Sequence, residues 1–405
     1  MNKSINLESA WQFLFEKMFC QKTKLLYDYR TDTEADGATR HLPTIEEIQN
    51  NIPNRCGWFS GMEDSNINGG TLLDAALYRY ERTKDAKFRQ YALDLYEGLM
   101  LNATLSKQPG FLIRARHPED GITHYINSSR DQYTHWIHAM LHFYQSELAS
   151  AEQRAAIRKT LIRFAEKAER DVTAQNQYCL TDEQGGIALV CTMYGDVVRS
   201  HESLRLAMFY MAAYAVSKDE HWKTIYHSSR DWGLTLGEKI HEDHLRRCFA
   251  LVQMQLSLRV LYEWEEDLSY RTRYARLMEA AAEQSEQYSF VAKEQLCAKA
   301  LPETVISWRN CPEEFIWKDT DPYGFGSTMP DVYKASCGED AWLHRNVADA
   351  LIVQGLCESF PNKREQINIF EEMLATFPLH SCMNTWCVSY CLAAELLQKK
   401  GGLSL

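Results

Sequence analysis

The sequence lacks the patterns that mark membrane-spanning and secreted proteins. No stretch approaches the ~20 consecutive apolar residues of a membrane-spanning helix. Acidic residues interrupt the N-terminal region where a signal peptide would be apolar. The 12 cysteines are scattered and include no C-x-x-C pair, which is typical of reduced thiols rather than of a disulfide framework or a zinc site. We therefore expect a cytoplasmic protein with no membrane partner.

The chain also lacks an excess of positive charge. Its formal net charge is −11, which argues against a nucleic-acid partner. It contains no H-E-x-x-H motif, and the pairs Gly185-Gly186 and Gly401-Gly402 lie in no strand-to-helix phosphate loop, so we predict no metal and no other cofactor. No low-complexity tract or linker divides the chain, and we predict one domain over residues 1–405.

What the chain does contain is twelve amphipathic helical stretches whose joints are alternately very short and long. The short joints are at residues 83–85, 149–151, 217–219, 265–267 and 360–362, and the long ones run over 29–66, 105–130, 177–200, 240–243, 294–338 and 377–381. Strand signals are weak and are limited to residues 111–113 and 185–190. Helical hairpins with tight turns on one side build a closed double ring. The sequence therefore predicts an all-α fold, an (α/α)6 toroid of six hairpins, with the long loops at one mouth, where function is usually found.

In the predicted double ring, every second helix belongs to the inner ring and begins at this mouth. Carboxylates lie at several of these helix starts. Asp131 is the first candidate for a general acid, because aromatic walls at the mouth would raise its pKa. Glu63, Asp64 and Asp196 are the other catalytic candidates, with Glu202 behind them. Each could equally cap a helix or complement its dipole. Two carboxylates across a cavity would suit cleavage of a glycosidic bond.

The predicted ligand-binding side chains share a position in or beside the long loops. Arginine recognises a carboxylate with a two-pronged fork, so an arginine-rich mouth in an acidic protein predicts an anionic ligand. We expect most of these arginines to pair with protein carboxylates, which leaves one or two for the ligand. Aromatic rings could stack on sugar faces or pack in the core, and the histidines could bind sugar hydroxyls or be structural. The candidates are Arg114, Arg116, Arg130, Arg199, Arg205, Arg345, His135, His201, Trp58, Trp136 and Trp342.

Two of these mouth segments resemble a known family. Residues 131–136 (DQYTHW) are similar in place to the Asp-bearing start of the fourth helix in unsaturated glucuronyl and rhamnogalacturonyl hydrolases. Residues 57–62 (GWFSGM) are similar in character to the loop before the second helix of those six-hairpin glycosidases. The resemblance implies a hydrolase that removes a terminal uronic acid, saturated or 4,5-unsaturated, from an acidic oligosaccharide. It also implies that Asp131 protonates either the vinyl ether or the leaving oxygen.

Three other functions are compatible with the same predicted toroid. A polysaccharide lyase would need a base, for which Tyr133 and His135 are available. A sugar epimerase would use paired histidines, for which His201 and His344 are candidates. A non-catalytic carbohydrate-binding protein would need none of them. The sequence also leaves a homo-oligomer open.

Overall fold

The structure is a computed structural model that describes residues 3–243, 245, 247–297, 307–310, 338–376, 385 and 387–402. It is mostly helical with few strands, which confirms the predicted all-α class. The α-helices are α1 (Lys3–Phe13), α2 (Ile45–Gln49), α3 (Ser65–Thr83), α4 (Ala86–Thr104), α5 (Arg130–Gln145), α6 (Ala151–Asp171), α7 (Arg205–Ser217), α8 (Glu220–Gly237), α9 (Phe249–Trp264), α10 (Leu268–Cys297), α11 (Gly338–Leu356), α12 (Arg364–Thr376) and α13 (Cys387–Lys399). A π-helical turn (Leu14–Met18) and short 3-10 turns complete the helical structure; the latter are Ala174–Asn176, Ser200–Glu202, Ile240–Glu242 and Trp308–Asn310.

Two small antiparallel hairpins accompany the helices. Strand β1 (Phe19–Cys20) pairs with β2 (Leu25–Leu26), and β3 (Cys179–Thr181) pairs with β4 (Ile187–Thr192). The strand predicted at 185–190 therefore forms, shifted by two residues. The strand predicted at 111–113 is wrong, because Ile113 donates its N–H to the end of α4, at Asn102, rather than to a neighbouring strand.

Two of the short joints repeat the same dipeptide with the same geometry. Lys84 after α3 and Lys218 after α7 have left-handed backbone conformations, with φ of 56° and 57°. Such a residue ends a helix by redirecting the chain and satisfying a terminal carbonyl. The aspartates that follow, Asp85 and Asp219, accept backbone N–H groups in the first turn of the next helix. A helix end and a helix start within two residues make each hairpin tight, as predicted.

Six of the described helices contact one another in cyclic order. Helix α3 contacts α5, α5 contacts α7 and α9, α7 contacts α9, α9 contacts α11, α11 contacts α13, and α13 returns to α3. The long helices between them in sequence pack against this group: α4 on α3, α6 on α7, α8 on α7, α10 on α9 and α11, and α12 on α11. Alternate helices therefore occupy two layers. We call α3, α5, α7, α9, α11 and α13 the first-layer helices, and their described ends carry the candidate site discussed below.

One continuous cluster of buried apolar side chains joins these layers. It extends from Leu7 in α1 to Leu397 in α13, and Trp11, Trp136 and Phe164 are among its largest members. Nonpolar burial of this extent is the main favourable contribution to folding. Among the described helices, none combines the length and apolar character needed to cross a membrane.

Candidate active site

Two adjacent carboxyl groups lie where a long loop enters α3. The backbone N–H groups of Glu63 and Asp64 both donate to the carboxylate of Asp28, at 2.7 and 2.9 Å. The Glu63 carboxylate accepts the N–H of Phe59 at 3.3 Å, whereas Asp64 accepts the side-chain amide of Gln132 at 3.0 Å. Asp28 therefore holds the loop, and the two neighbouring carboxyl groups have separate partners. We call Asp28, Glu63 and Asp64 the carboxyl cluster.

Burial raises the pKa of every member of the carboxyl cluster. Desolvation raises the pKa of Glu63 from 4.5 to about 8, and repulsion from the Asp64 charge adds to that effect. Burial also raises the pKa of Asp28 and of Asp64, and repulsion between the carboxylates acts in the same direction on Asp28. Glu63 therefore keeps its proton at neutral pH, which is the protonation state of a general acid.

Three arginines oppose the negative charge of the carboxyl cluster. Arg114 is 3% exposed, and its Nη1 donates to the backbone carbonyl of Glu63 at 3.0 Å. The same nitrogen lies 3.8 Å from Asp64 Oδ1, while the Arg114 Nε has no hydrogen-bond partner among the described residues. The charges of Arg247 and Arg345 counteract the raised pKa of Glu63 and of Asp64, respectively. Cations therefore converge on this cluster in a protein of net negative charge.

Asp131, in the first turn of α5, is held by a buried arginine. Arg205 is 2% exposed and donates through Nη1 to Asp131 and through Nη2 to Gln253. Burial alone would raise the pKa of Asp131, but the charges of Arg205 and Arg130 outweigh it and hold that pKa below its ordinary value. The prediction that aromatic walls raise this pKa is therefore wrong, because two guanidinium groups stabilise the carboxylate. At neutral pH Asp131 is ionised and suits a base better than an acid.

A second ion-pair network lies where α7 begins. Arg130 donates to Glu202 and to the backbone carbonyl of Thr192, the latter at 2.8 Å. His201 contacts Asp243 through Nδ1 at 3.0 Å, and its Nε2 lies 3.5 Å from Glu202. Burial would lower the pKa of His201, but these two carboxylates raise it instead. Arg130 and His201 therefore have protein partners, and Glu202 pairs with Arg130.

Aromatic faces lie beside these charges. The His135 ring stacks on Phe249 with ring centroids 5.8 Å apart and planes at 13°. The Arg345 guanidinium lies 4.3 Å from the centre of the same Phe249 ring, and that of Arg114 lies 6.0 Å from the Trp58 ring. Burial, assisted by the charge of Arg345, lowers the pKa of His135 to about 3. Its Nε2 has no partner within the described part of the chain. Rings flanked by cations can bind the apolar face of a sugar.

Two predicted ligand-binding residues are structural instead. Arg116 is buried, and its guanidinium nitrogens donate to three protein oxygens: Asn102 Oδ1 and the carbonyls of Gly121 and Thr23. Trp136 is fully buried in the core, where its indole N–H donates to the carbonyl of Leu99 at 2.9 Å. These contacts contradict the predicted role of both in ligand binding, because their polar groups are already paired away from solvent.

Two other predicted residues lie at the periphery. Asp196 is exposed and lines an outer groove with residues of α8, apart from the carboxyl cluster. Arg199 is also exposed, and its charge acts on Asp243. Neither is brought to the carboxyl cluster by the described structure. Trp342 lies in α11, but its side chain falls outside the described residues.

The structure adds four side chains that the sequence argument did not select: Asp28, Gln132, Phe249 and Gln253. Gln132 and Phe249 lie in the first turn of a first-layer helix, so helix starts were an available signal for them. Asp28 lies in the chain before α2 and carries no such signal. Among the described residues, no group of three or more histidine, cysteine or acidic side chains is arranged to hold a metal. No protein-family model and no curated protein matches the chain.

Proposed function

We propose that this chain is a glycoside hydrolase that removes a terminal uronic acid, saturated or 4,5-unsaturated, from an acidic oligosaccharide. The observation that carries the proposal is a pair of carboxyl groups with opposite pKa shifts. The pKa of Glu63 is raised to about 8, whereas that of Asp131 is held below its ordinary value. Such a pair provides a proton donor and a carboxylate at the same pH, which is what glycosidic cleavage requires.

The proposal includes the fold, an (α/α)6 toroid formed by one domain. The cyclic contacts of α3, α5, α7, α9, α11 and α13 support it. The starts of several of these helices also meet through their side chains. Arg205 at the start of α7 contacts Asp131 in α5 and Gln253 in α9, and Arg345 in α11 lies over Phe249 in α9. Contacts of this kind are expected where inner helices open at one mouth.

In the proposed reaction on a saturated substrate, Glu63 transfers its proton to the glycosidic oxygen as the bond from that oxygen to the anomeric carbon breaks. A water molecule supplies the new bond to the anomeric carbon, and its proton passes to Asp131. On an unsaturated substrate, Glu63 instead protonates the ring double bond, and water adds to the resulting cation while it gives a proton to Asp131. The hemiketal formed in this way opens, and the anomeric carbon, now a hemiacetal, releases the rest of the oligosaccharide as an alcohol. Proton exchange with solvent restores both groups. Asp131 is thus the base in this proposal and not the general acid first predicted, because a carboxylate stabilised by Arg205 and Arg130 is a poor proton donor.

The preference for an acidic sugar rests on the arginines around the carboxyl cluster. Arg114 lies beside Asp64, the charge of Arg345 also acts on Asp64, and that of Arg247 acts on Glu63. Cations next to a carboxyl group that keeps its proton, as Glu63 does at neutral pH, leave a positive potential that a substrate carboxylate can neutralise. Phe249, which is half-buried beneath Arg345, provides a ring face for the sugar itself.

Hydrolysis is favoured over elimination by a lyase for a related reason. Tyr133 is fully buried and shares its hydroxyl between the N–H of Leu112 and the carbonyl of Gly110, and burial raises its pKa well above the ordinary value. The other candidate base, His135, has a pKa of about 3 and is a weak proton acceptor. An elimination reaction needs an unprotonated group that accepts a proton well. Tyr133 keeps its own proton at neutral pH, and His135 is unprotonated but accepts a proton poorly.

Incubation with saturated and 4,5-unsaturated uronyl oligosaccharides tests the proposal. A hydrolase of saturated substrates releases reducing sugar, a hydrolase of unsaturated ones destroys their conjugated ultraviolet absorbance, and a lyase creates that absorbance. Glu63→Gln and Asp131→Asn should each lower kcat by ~10²-fold or more, because proton transfer by a positioned group contributes about that much. The matched control is Glu283→Gln, which changes an exposed carboxylate of α10 outside the carboxyl cluster and should retain activity. Release of no uronic acid from any of these substrates would refute the proposal.

A further inference from the structure

An outer groove lies between the loop after β4 and one face of α8. Its volume is about 540 Å³, and its lining includes Asp196, Asp231, Trp232 and Lys239. Trp232 is half-buried, and its ring lies 4.3 Å from that of Tyr194 at an angle of 37°. Tyr194 in turn lies 5.3 Å from Tyr178, which is 37% exposed. Three aromatic rings therefore continue one another along this face of the molecule.

Three polar groups around the groove have no protein partner in the described part of the chain. Among the described residues, no hydrogen bond or ion pair engages the Trp232 indole N–H, the Asp196 carboxylate or the Lys239 ammonium. Asp231, in contrast, accepts the Tyr270 hydroxyl at 2.5 Å. An aromatic face bordered by free donors and a free acceptor matches a sugar ring, whose faces are apolar and whose rim carries hydroxyl groups.

Charge distinguishes this groove from the candidate active site. Its free charges are one carboxylate and one ammonium, whereas several arginines surround the carboxyl cluster. An acidic sugar would meet no net positive field in the groove, so an uncharged sugar suits it better.

The groove is also close to the candidate active site along the chain. Arg130, next to Asp131, donates to the carbonyl of Thr192 at 2.8 Å. Tyr194 follows Thr192 by two residues, and two residues of extended chain span roughly 7 Å. The groove is therefore joined to the residue before Asp131 by a short segment of chain.

We propose that the groove at Trp232 is a second saccharide-binding site that takes an uncharged sugar unit by stacking it on the Trp232 ring. Asp196 accepts hydrogen bonds from its hydroxyl groups, and the Trp232 indole and Lys239 donate to them. The inference does not depend on the proposed hydrolysis, because binding in the groove requires no turnover.

Fluorine NMR of protein labelled with 5-fluorotryptophan tests this site directly. The chain has 10 tryptophans, and the resonance that disappears in Trp232→Phe identifies Trp232. The probes are the tetrasaccharides of glucose and of xylose, with trigalacturonate as the charged comparison. Trp264 is the internal control. It is also half-buried, but it lies outside the groove, at the C-terminal end of α9 and beneath the Lys218 ammonium.

We expect a neutral tetrasaccharide to shift the Trp232 resonance in a saturable manner without shifting that of Trp264. Asp196→Ala should weaken that binding about tenfold, equivalent to about 1.4 kcal/mol. A Trp232 resonance that no neutral tetrasaccharide shifts would overturn the proposal. So would a change of oligomeric state in Trp232→Ala, which would make the groove a contact between copies of the chain. Saturable binding in a protein that hydrolyses nothing would refute the proposed function and leave the groove assignment intact.

Discussion

Replacing Glu63 by Gln should stabilise the folded protein at neutral pH while it removes activity. The folded state raises the pKa of Glu63 from 4.5 to about 8, so it binds this proton more tightly than the unfolded chain does. The stability associated with this group is complete below pH 4.5 and is lost as pH rises towards 8. Glutamine does not titrate, and its side-chain oxygen can still accept the N–H of Phe59. The variant therefore avoids the free-energy cost of taking up a proton when the chain folds at neutral pH.

The size of the effect follows from the pKa difference. Each pH unit between the unfolded and the folded pKa costs about 1.36 kcal/mol, which gives ~3 kcal/mol at pH 7 and less than ~1 kcal/mol at pH 5. The larger figure is an upper value, because Asp28 and Asp64 share protons with Glu63. Urea unfolding followed by circular dichroism at both pH values measures the two differences.

The pH dependence distinguishes this explanation from ordinary surface effects. Asp196→Asn makes the same chemical change at an exposed position and should alter the free energy of unfolding little at either pH. Refutation would be a Glu63→Gln variant that is destabilised at pH 7, or one whose stability gain is the same at pH 5 and pH 7. Either result would mean that Glu63 is ionised in the folded protein, and the acid in the proposed reaction would be lost with it.

Two further substitutions test the charges around the site. Arg205→Met should destabilise the protein by ~3 kcal/mol at pH 7, because it leaves the Asp131 carboxylate without its partner. The lowered pKa of Asp131 gives stability that is present above its ordinary value of 3.8 and lost as pH falls through the folded value, so the difference should shrink in acid. A double-mutant cycle that combines Arg205→Met with Asp131→Asn measures the coupling energy between the two side chains, and a value below ~0.5 kcal/mol would contradict the ion pair. Arg114→Ala should raise KM for a uronide tenfold or more relative to a neutral glycoside, since a charge-assisted hydrogen bond contributes ~1.5–3 kcal/mol. The control is Arg199→Ala, which changes an exposed arginine and should alter neither KM. Equal effects of Arg114→Ala on both substrates would make Arg114 structural.

The helices could be predicted because their signals are local. Apolar periodicity sets which face of each helix is buried, and the Lys-Asp dipeptides at 84–85 and 218–219 end one helix and begin the next within a few residues. The same local signals located the carboxylates at the starts of α3 and α5. They failed at residues 111–113, where apolar β-formers pack as an irregular segment against α4.

The chemical roles of the site residues could not be predicted from those signals. Asp131 and Glu63 are both acidic residues near a helix start, yet one pKa falls and the other rises. The difference arises because Arg205, distant in sequence, reaches Asp131, while Glu63 is half-buried beside Asp64. Trp136 shows the same limit, because its neighbours in sequence are site residues but its side chain points into the core.

By itself, the sequence determined the helical class, the tight joints and the set of polar residues that precede the first-layer helices. These depend on backbone propensity, capping and periodicity, which act over a few residues. Only the tertiary structure decided which of those side chains share a site, that Asp28 holds the loop at Glu63, and that Arg116 is structural. A pKa and a hydrogen-bond partner depend on burial and on charges a few ångströms away in space, and residues 28, 63, 114, 131, 205 and 253 become neighbours only when the chain is folded.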